Sequence, residues 1–268
     1  MFTDAEFLAA CEFVFKETGI VLDSTKGYLI EGRLKPLEQG ANVSTLGDLI
    51  KKAHTDRAIK QKIIDAVSTN ETYFFRDVKP FDLIKNHLAP TTLEKGNSLS
   101  IWSAASSTGQ EAYSIAMALK EILFDLTKYR IKITGSDIST EAVHKANHGV
   151  YTRFELSRGL SPVQISRYFT PFGTTGDYKI DDELRSVVQF GQANLLTTPL
   201  MLGLYDIVLC RNVAIYFNKS DKRLLFERVH RTLKPRGALL VGSTESMLEY
   251  GDLFERGQYH NTVYYIKK

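Results

Sequence analysis

Four polar side chains in this 268-residue sequence have the types and positions to hold a ligand. Asp137 comes just past an apolar run, where its carboxylate is placed to accept hydrogen bonds from both hydroxyls of a ribose. Glu111 follows a run of very small residues and is placed to meet an ammonium group. Arg211 and Asn212 end another apolar run, where a plain surface turn would more often use glycine or proline. Polar groups at strand ends predict a binding site.

The same region also allows purely structural interpretations. Asp137 could instead cap a helix that starts near Ser139, although its position at a strand end favours ribose binding. Glu111, taken alone, is better explained as an acid that stabilises a helix N-terminus. Cys210 is interpreted as a small buried apolar residue and not as a nucleophile, because no histidine motif accompanies it.

The loop after the run SLSIWSA lies where α/β sheets bind nucleotides, but it does not suit a phosphate. A Walker A loop needs a lysine directly after its last glycine, and here no lysine follows Gly109 before Lys120. A dinucleotide loop needs three glycines around the pyrophosphate, and this loop has one. The loop therefore favours a ligand with an amino-acid part and a single nucleoside.

The segment STNETYFFRD (68–77) combines polar side chains with aromatic ones, which is typical of a hinge that covers a cleft. Its polar residues include Asn70, Thr72 and Arg76. Ser68 and Glu71 also have the spacing of a capping box, which is the structural alternative for this segment.

Two kinds of element must position these residues. The first 70 residues read as amphipathic helices, of which the first has a capping box at Thr3 and Glu6 and a stop at Gly19. From residue 98, short apolar runs alternate with helical ones, which predicts a mainly parallel sheet covered on both faces. Glycine-bearing turns predict a small antiparallel insertion at about 163–190. The expected units are a helical domain (1–72), a linker (73–97) and an α/β domain (98–268).

Composition excludes several classes of protein. No apolar run approaches the roughly 18 residues of a membrane span, and the acidic N-terminus argues against a signal peptide. Cys11 and Cys210 lack the spacing of a zinc site or a disulfide framework, so no metal is expected. We expect a cytoplasmic protein without direct membrane insertion.

Basic residues are concentrated in one part of the helical region. Residues 26–62 carry eight bases and four acids. This stretch is either a solvated face or a docking surface for an acidic partner. It lacks the interleaved aromatic side chains of a stacking platform, so nucleic-acid binding is not expected.

Together these motifs resemble the chemotaxis receptor methyltransferases, S-adenosylmethionine-dependent enzymes that esterify glutamate side chains on bacterial chemoreceptors. The strings that carry the resemblance, in chain order, are STNETYFFRD, IWSAASSTGQEAYSIA, GSDIS, ANLL, DIVLCRNVAIYF, LKPRG and GSTES. The resemblance implies a Rossmann-like methyltransferase domain with a small antiparallel β-subdomain, preceded by an all-helical N-terminal domain. It also implies S-adenosyl-L-methionine as cofactor and the cytoplasmic domains of methyl-accepting chemoreceptors as partners.

The resemblance further implies which residues form the site. The implied cofactor residues are Asn70, Thr72, Arg76, Glu111, Asp137, Asn194, Leu195, Arg211 and Asn212. Asp137 would hold the ribose, Asn194 and Leu195 would flank the adenine, and Arg76 and Glu111 would meet the carboxylate and ammonium ends of the methionine. Arg33 and Lys35 match the region through which the family docks receptors.

The implied reaction is attack by a glutamate carboxylate on the sulfonium methyl group. Because this nucleophile is already ionised at neutral pH, we predict no general base and name no catalytic residue. Two alternatives stay open from the sequence: a methyltransferase that acts on another protein or a small molecule, and a signalling module that binds the cofactor or a receptor without turnover.

Overall fold

The computed structural model describes residues 2–22, 27–199 and 204–268. The N-terminal part consists of α1 (Asp4–Thr18), α2 (Gly27–Gly40), α3 (Leu46–Thr55) and α4 (Arg57–Val67). Each of the four helices contributes several side chains to the buried core of this part, among them Phe13, Leu34, Leu49 and Ile63. The predicted capping box of Thr3 and Glu6 and the stop at Gly19 are confirmed as the two ends of α1.

The rest of the chain alternates between strands and helices. Its strands are β1 (Ser98–Ala104), β2 (Arg130–Asp137), β3 (Val150–Thr152), β4 (Phe169–Phe172), β5 (Asp177–Ile180), β6 (Val188–Gln192), β7 (Tyr205–Cys210), β8 (Leu233–Val241), β9 (Phe254–Tyr259) and β10 (Thr262–Lys267). Its helices are α5 (Val78–Leu83), α6 (Ala89–Leu93), α7 (Gln110–Leu123), α8 (Thr140–His148), α9 (Arg153–Ser157), α10 (Pro162–Tyr168), α11 (Asp182–Ser186) and α12 (Lys219–Thr232).

Seven strands form one sheet in the order β6-β2-β1-β7-β8-β10-β9. The first five are parallel, and β10 runs antiparallel to both of its neighbours. The chain starts at β1, proceeds outward to one side and then returns to β7 on the other side of β1. Between β1 and β7 the loops therefore leave in opposite directions and open a crevice at the carboxyl ends of the strands.

Residues 73–97, predicted as a linker, are built into the α/β part. They contain α5, a π-helical turn (Ile84–Leu88) and α6. Phe81 and Ile84 are almost completely buried and belong to the same core cluster as the strand residues Leu99 and Ile101. The apolar side chains of this segment explain the difference, because a true linker would leave them exposed to water.

A second, three-stranded antiparallel sheet has the order β3-β5-β4. It covers 150–180 and so starts and ends earlier than the insertion predicted at about 163–190. The last part of the predicted range does not belong to the small sheet. Val188–Gln192 is β6, the edge strand of the large sheet, and pairs in parallel with β2. Among the described residues, no helix combines the length and the apolar character needed to cross a membrane.

Candidate active site

A cleft lies over the carboxyl ends of β1, β2 and β7, with the end of the helical part as its opposite wall. It encloses about 920 Å³ of space, a figure that includes its open mouth. The structure brings all nine predicted cofactor residues together along its lining: Asn70, Thr72, Arg76, Glu111, Asp137, Asn194, Leu195, Arg211 and Asn212. Thr18 and Ile20 contribute the helical wall.

The loop after β1 adopts the left-handed conformation at Ala105 (φ 57°), Ser107 (φ 50°) and Gly109 (φ 97°). A side chain at Gly109 would lie within about 3 Å of Ala146 and of the Tyr151 hydroxyl, so glycine is needed there. At the other two positions the conformation costs roughly 1 kcal/mol each. Two hydrogen bonds hold Ser107 in place: its N–H donates to Asp137 Oδ2 over 2.8 Å, and its hydroxyl donates to the Asn70 carbonyl over 2.9 Å.

Asp137, at the end of β2, is only 7% exposed. Its other oxygen, Oδ1, accepts the Ser139 N–H over 3.0 Å. Helix α8 is capped by Ser139 itself, whose hydroxyl accepts the Ala142 N–H, so Asp137 is not the helix cap. Burial raises the pKa of the Asp137 carboxyl, and the backbone hydrogen bonds only partly oppose that rise. The two backbone hydrogen bonds fix the orientation of the Asp137 carboxyl, which can accept further hydrogen bonds from a ligand in the cleft.

Arg211, at the end of β7, lies in a network of charges with the largely buried Glu111 and the more exposed Asp77. Its Nη1 donates to Glu111 Oε2 over 2.9 Å, and its Nη2 donates over 2.8 Å both to Asp77 Oδ2 and to the Arg76 carbonyl. The Arg211 side chain is 2% exposed. Glu111 also accepts the Ser103 hydroxyl over 2.7 Å, so its carboxylate is fixed from two sides. Two acids and one base leave this network with a net negative charge.

The segment 68–77 does not form the capping box that was the structural alternative. Ser68 ends α4, and its hydroxyl donates to the Ile64 carbonyl. Glu71 instead pairs with Arg158, which approaches from the small sheet's side of the molecule. That ion pair holds the pKa of Glu71 below its usual value. The guanidinium groups of Arg76 and Arg158 both lie over the Tyr73 ring, at 5.9 and 5.2 Å from its centre.

Asn194 and Leu195, which follow β6, connect the cleft to two other elements. The Asn194 side chain donates to the Glu17 carbonyl of α1 over 2.9 Å and accepts the Leu196 N–H over 2.8 Å. The Leu195 carbonyl accepts Nε of Arg228, on α12, over 2.8 Å. Both the nitrogen and the oxygen of the Asn194 side chain are therefore already hydrogen-bonded to backbone groups of the protein.

Two residues of the cleft's framework were missed in the sequence. Asp77 pairs with Arg211, and Glu245 accepts the backbone N–H groups of Asn212 and Ala214 at the end of β7. Both lie in strings already singled out, STNETYFFRD and GSTES. For Glu245 the available signal was its position just after β8, which ends at the same edge of the sheet as β7; Asp77 follows no strand and offered no such signal.

Arg33 and Lys35 do not belong to the cleft lining. Arg33 is half-buried, and its Nη1 donates to the carbonyls of Val67 (2.8 Å) and Ser68 (3.3 Å). It thus satisfies carbonyl groups at the C-terminal end of α4. Lys35 has 60% of its side chain exposed and lies 3.9 Å from Glu31. The two predicted docking residues are therefore in different environments.

Cys210, at the end of β7, is completely buried. Burial, with the charges of Glu245 and Glu111 nearby, raises the pKa of its thiol well above the usual range. The thiol therefore stays protonated at neutral pH, which agrees with its interpretation as a small buried residue.

The lining fits a ligand that combines a nucleoside with an amino acid. Asp137 offers an oriented carboxylate, and no lysine of the loop is available to meet a pyrophosphate. Among the described residues, Ser106 Oγ and Arg211 Nε are buried without a hydrogen-bond partner, and both residues line the cleft. Buried polar atoms of this kind usually have a partner, and a bound ligand could supply it.

Comparison with known families decides between the nucleoside ligands. Residues 5–68 match the family described as CheR methyltransferase, all-alpha domain, and residues 70–263 match CheR methyltransferase, SAM binding domain. The chain belongs to the CheR methyltransferase family. The predicted family, the fold class and S-adenosylmethionine as cofactor are thereby confirmed, and the chain is a methyltransferase.

Relatives in the CheR family cover nearly the whole chain. Chemotaxis protein methyltransferase 1 of Pseudomonas aeruginosa is 37% identical in an alignment of 273 positions that covers 99% of this chain and 98% of the relative. Chemotaxis protein methyltransferase 1 of Vibrio cholerae is 37% identical and covers 94% of this chain and 93% of its own length. The chemotaxis protein methyltransferase of Escherichia coli is 33% identical, with coverages of 99% and 92%.

Proposed function

We propose that this protein forms methyl esters on glutamate side chains in the cytoplasmic domains of methyl-accepting chemoreceptors, and that it works in the cytoplasm. The observation that carries the proposal is the single cleft lined by all nine family-type cofactor residues, with the helical domain as its opposite wall. Similarity to chemotaxis protein methyltransferases over nearly the full chain supports the chemoreceptor as partner.

S-adenosylmethionine, when bound, supplies a methyl group on a positively charged sulfur. Asp137 would hold the ribose, since each of its oxygens has one backbone N–H and a further lone pair to offer. Arg76 would meet the carboxylate of the methionine part and Glu111 its ammonium group. The net negative charge of the network around Arg211 favours a cationic ligand in this part of the cleft.

The adenine would lie beside Asn194 and Leu195. Because the Asn194 amide is bonded to the Glu17 carbonyl and to the Leu196 N–H, its side chain acts mainly by fixing the shape of this wall. Backbone groups and the largely buried Leu195 side chain would then make the contacts. This arrangement fits an aromatic base, which needs a flat apolar surface as well as a few polar groups.

The protein needs no general base for this reaction. A glutamate with an ordinary pKa of about 4.3 is ionised at neutral pH and can attack directly. The residues of the cleft contribute by aligning the carboxylate with the methyl group, and good alignment is worth roughly 7–11 kcal/mol in model reactions. The helical wall at Thr18 and Ile20 helps to keep water out of the cleft.

The receptor would approach from the helical domain. Lys35 is exposed and free to move toward an acidic partner, whereas Arg33 is held by two carbonyl groups. We therefore assign direct receptor contact to Lys35 and a supporting role to Arg33. Docking through charge of this kind acts mostly on the association rate and weakens with salt.

The proposal is tested by incubating the protein with methyl-labelled S-adenosylmethionine and chemoreceptor cytoplasmic fragments that carry either glutamate or glutamine at the modified positions. We expect base-labile label on the glutamate fragment alone, and its loss in Asp137→Ala. Base-stable label, or equal label on both fragments, would show a different acceptor chemistry. Tight cofactor binding without any label would support the signalling module.

A further inference from the structure

The turn that follows β8 places one carboxylate against three backbone N–H groups. Glu245 Oε2 accepts the N–H of Gly242 over 2.7 Å and that of Asn212 over 2.8 Å, and Oε1 accepts the N–H of Ala214 over 3.0 Å. The Glu245 N–H itself donates to the Gly242 carbonyl, which closes the turn. Glu245 thus joins the ends of two neighbouring parallel strands, β7 and β8.

Gly242 packs tightly against this carboxylate. A Cβ atom at Gly242 would lie 2.8 Å from Glu245 Oε2 and 2.8 Å from the side-chain nitrogen of Asn212. Both distances are shorter than an ordinary contact, so any side chain at this position would displace one or both groups. The structure therefore gives a second way to disturb the same contact without changing a charge.

The residues held by Glu245 lead directly to the wall of the cleft. Asn212 is left-handed (φ 58°), and a short 3-10 turn, Ala214–Tyr216, begins two residues later. Tyr216 lines the cleft, and its carbonyl accepts the N–H of Val21, which lies just after α1 in the helical domain. The loop 212–216 is therefore a part of the α/β domain that faces both the cleft and the helical domain.

We propose that Glu245 is a positioning residue for methyl transfer: its carboxylate fixes the loop 212–216 so that the side of the cleft nearest the helical domain keeps the shape required by the acceptor. Glu245 touches neither cofactor nor acceptor in this role. The inference rests on the proposed function, because it takes the acceptor to be a protein that enters beside the helical domain.

The effect should fall on the transfer step more than on cofactor binding. Asp137 is held by the N–H groups of Ser107 and Ser139, and Glu111 is held by Ser103 and Arg211. Of the nine predicted cofactor residues, Glu245 bonds to Asn212 alone, through its backbone N–H. A misplacement of about 1 Å of a positioning group can slow a reaction by about 100-fold. We therefore expect single-turnover methyl transfer to slow while most of the cofactor affinity is kept.

The experiment compares the full-length protein with Glu245→Gln and Gly242→Ala. Glutamine keeps the size of the side chain but has only one acceptor oxygen, so it cannot satisfy all three N–H groups. Glu249→Gln is the matched control, because Glu249 is an exposed acid in the next turn that pairs with Lys219. The measurements are amide hydrogen exchange across 211–217, cofactor Kd by calorimetry, and the single-turnover rate on a receptor fragment.

We expect both variants to exchange faster at the Asn212 and Ala214 amides and to transfer methyl groups about 10- to 100-fold more slowly, with cofactor Kd changed by about threefold or less. The control should match the unaltered protein. If amide hydrogen exchange at Asn212 and Ala214 were unchanged, Glu245 would not hold these N–H groups. If exchange were faster but the methyl-transfer rate unchanged, Glu245 would have a structural role only, and the proposal would be overturned. A loss of cofactor affinity equal to the loss of rate would also overturn the proposal.

If the proposed function is wrong, the labelling and hydrogen-exchange results differ from those expected if only the role of Glu245 is wrong. If the unaltered protein labels no receptor fragment, the acceptor assignment is wrong, while hydrogen exchange in the two variants still decides whether Glu245 fixes the loop. If one variant fails to fold, the other reports on the same contact, because one removes an acceptor and the other adds a methyl group.

Discussion

Asp137 must be ionised to accept hydrogen bonds from a ribose, yet burial raises the pKa of its carboxyl. Because this pKa is higher in the folded protein than in the unfolded chain, ionisation at neutral pH costs stability, and this cost disappears as the pH falls through the raised pKa. Protonation of Asp137 at low pH should therefore relieve the cost to stability but weaken cofactor binding. We expect the highest cofactor affinity at neutral pH and a decline as the pH is lowered through the acid range.

The prediction is that Asp137→Asn weakens cofactor binding about 10- to 100-fold at neutral pH, the effect expected for losing hydrogen bonds to a charged acceptor. The decline of affinity at acid pH should become shallower in the variant. Calorimetric titrations between pH 5 and pH 8 would measure both effects. Glu141→Gln, an exposed acid on the adjoining helix α8, serves as the control. Equal affinity of Asp137→Asn and the unaltered protein would remove Asp137 from the site.

Some residues of the site could be predicted from the sequence and others could not, for a physical reason. Asp137 and Arg211 follow apolar strands directly, so the edge of the sheet on which they lie is fixed by local pattern. One partner of Arg211 is Asp77, which is 134 residues away along the chain. Glu245 likewise acts on backbone groups of another strand, so only the folded sheet brings them together.

Among the elements, the segment 70–76 depends on its contact with the loop before α10. The carbonyl group of Phe74 packs directly on Gly159, where a Cβ atom would overlap its oxygen. The Phe74 ring is fully buried and meets Tyr151 and Phe169 edge-on, with centres 5.1 and 5.6 Å apart. This contact fixes the segment from which Thr72 and Arg76 reach the cleft.

We predict that Gly159→Ala destabilises the fold by about 1–3 kcal/mol, the range for overpacking a tight contact, and weakens cofactor binding because the segment 70–76 must shift. Denaturant unfolding and calorimetry would measure the two effects. Gly96→Ala is the matched control, since a Cβ atom there meets no other atom within 4 Å, and we expect a change within about 0.5 kcal/mol. If Gly159→Ala were equally harmless, the close packing would be wrong.

The limits of prediction are also clear for whole elements. The runs SLSIWSA and TVYYIKK match β1 and β10 because each is rich in aliphatic, β-branched and aromatic residues. β3 has three residues and pairs with β5 across more than twenty residues of chain, so no local signal defines it. The proline and glycine of the string LKPRG are typical of a turn, but β8 already begins at Leu233 and has an irregularity there in its pairing with β7.

The whole molecule depends on how the helical domain docks on the α/β domain. Asp65 of α4 accepts the N–H and the hydroxyl of Thr140, each over 2.7 Å, at the first turn of α8. An acid at a helix N-terminus is favourable, and here the acid comes from the other domain. Gln61 of the same helix bonds to the Ile138 carbonyl and to Gln192. These contacts lie beside Asp137 and hold the two walls of the cleft together.

We predict that Asp65→Ala lowers stability by about 1.5–3 kcal/mol, the value of hydrogen bonds to a charged group, and weakens cofactor binding because one wall of the cleft loosens. Thermal unfolding with and without S-adenosylmethionine would measure both. Lys62→Ala, an exposed position on the same helix, is the control. Normal cofactor affinity in a destabilised Asp65→Ala protein would show that the docking contact does not shape the cleft.

The hydroxyl of Tyr151, on β3 of the small sheet, donates to the Thr108 carbonyl over 2.8 Å. The small sheet thereby supports the loop after β1 from below, in addition to any surface that it presents to other molecules. It is consequently not a detachable module. Grafting this sheet between relatives, to exchange one recognition surface for another, has to carry Tyr151 with it, because a graft without that residue would alter the affinity for the methyl donor along with the choice of receptor.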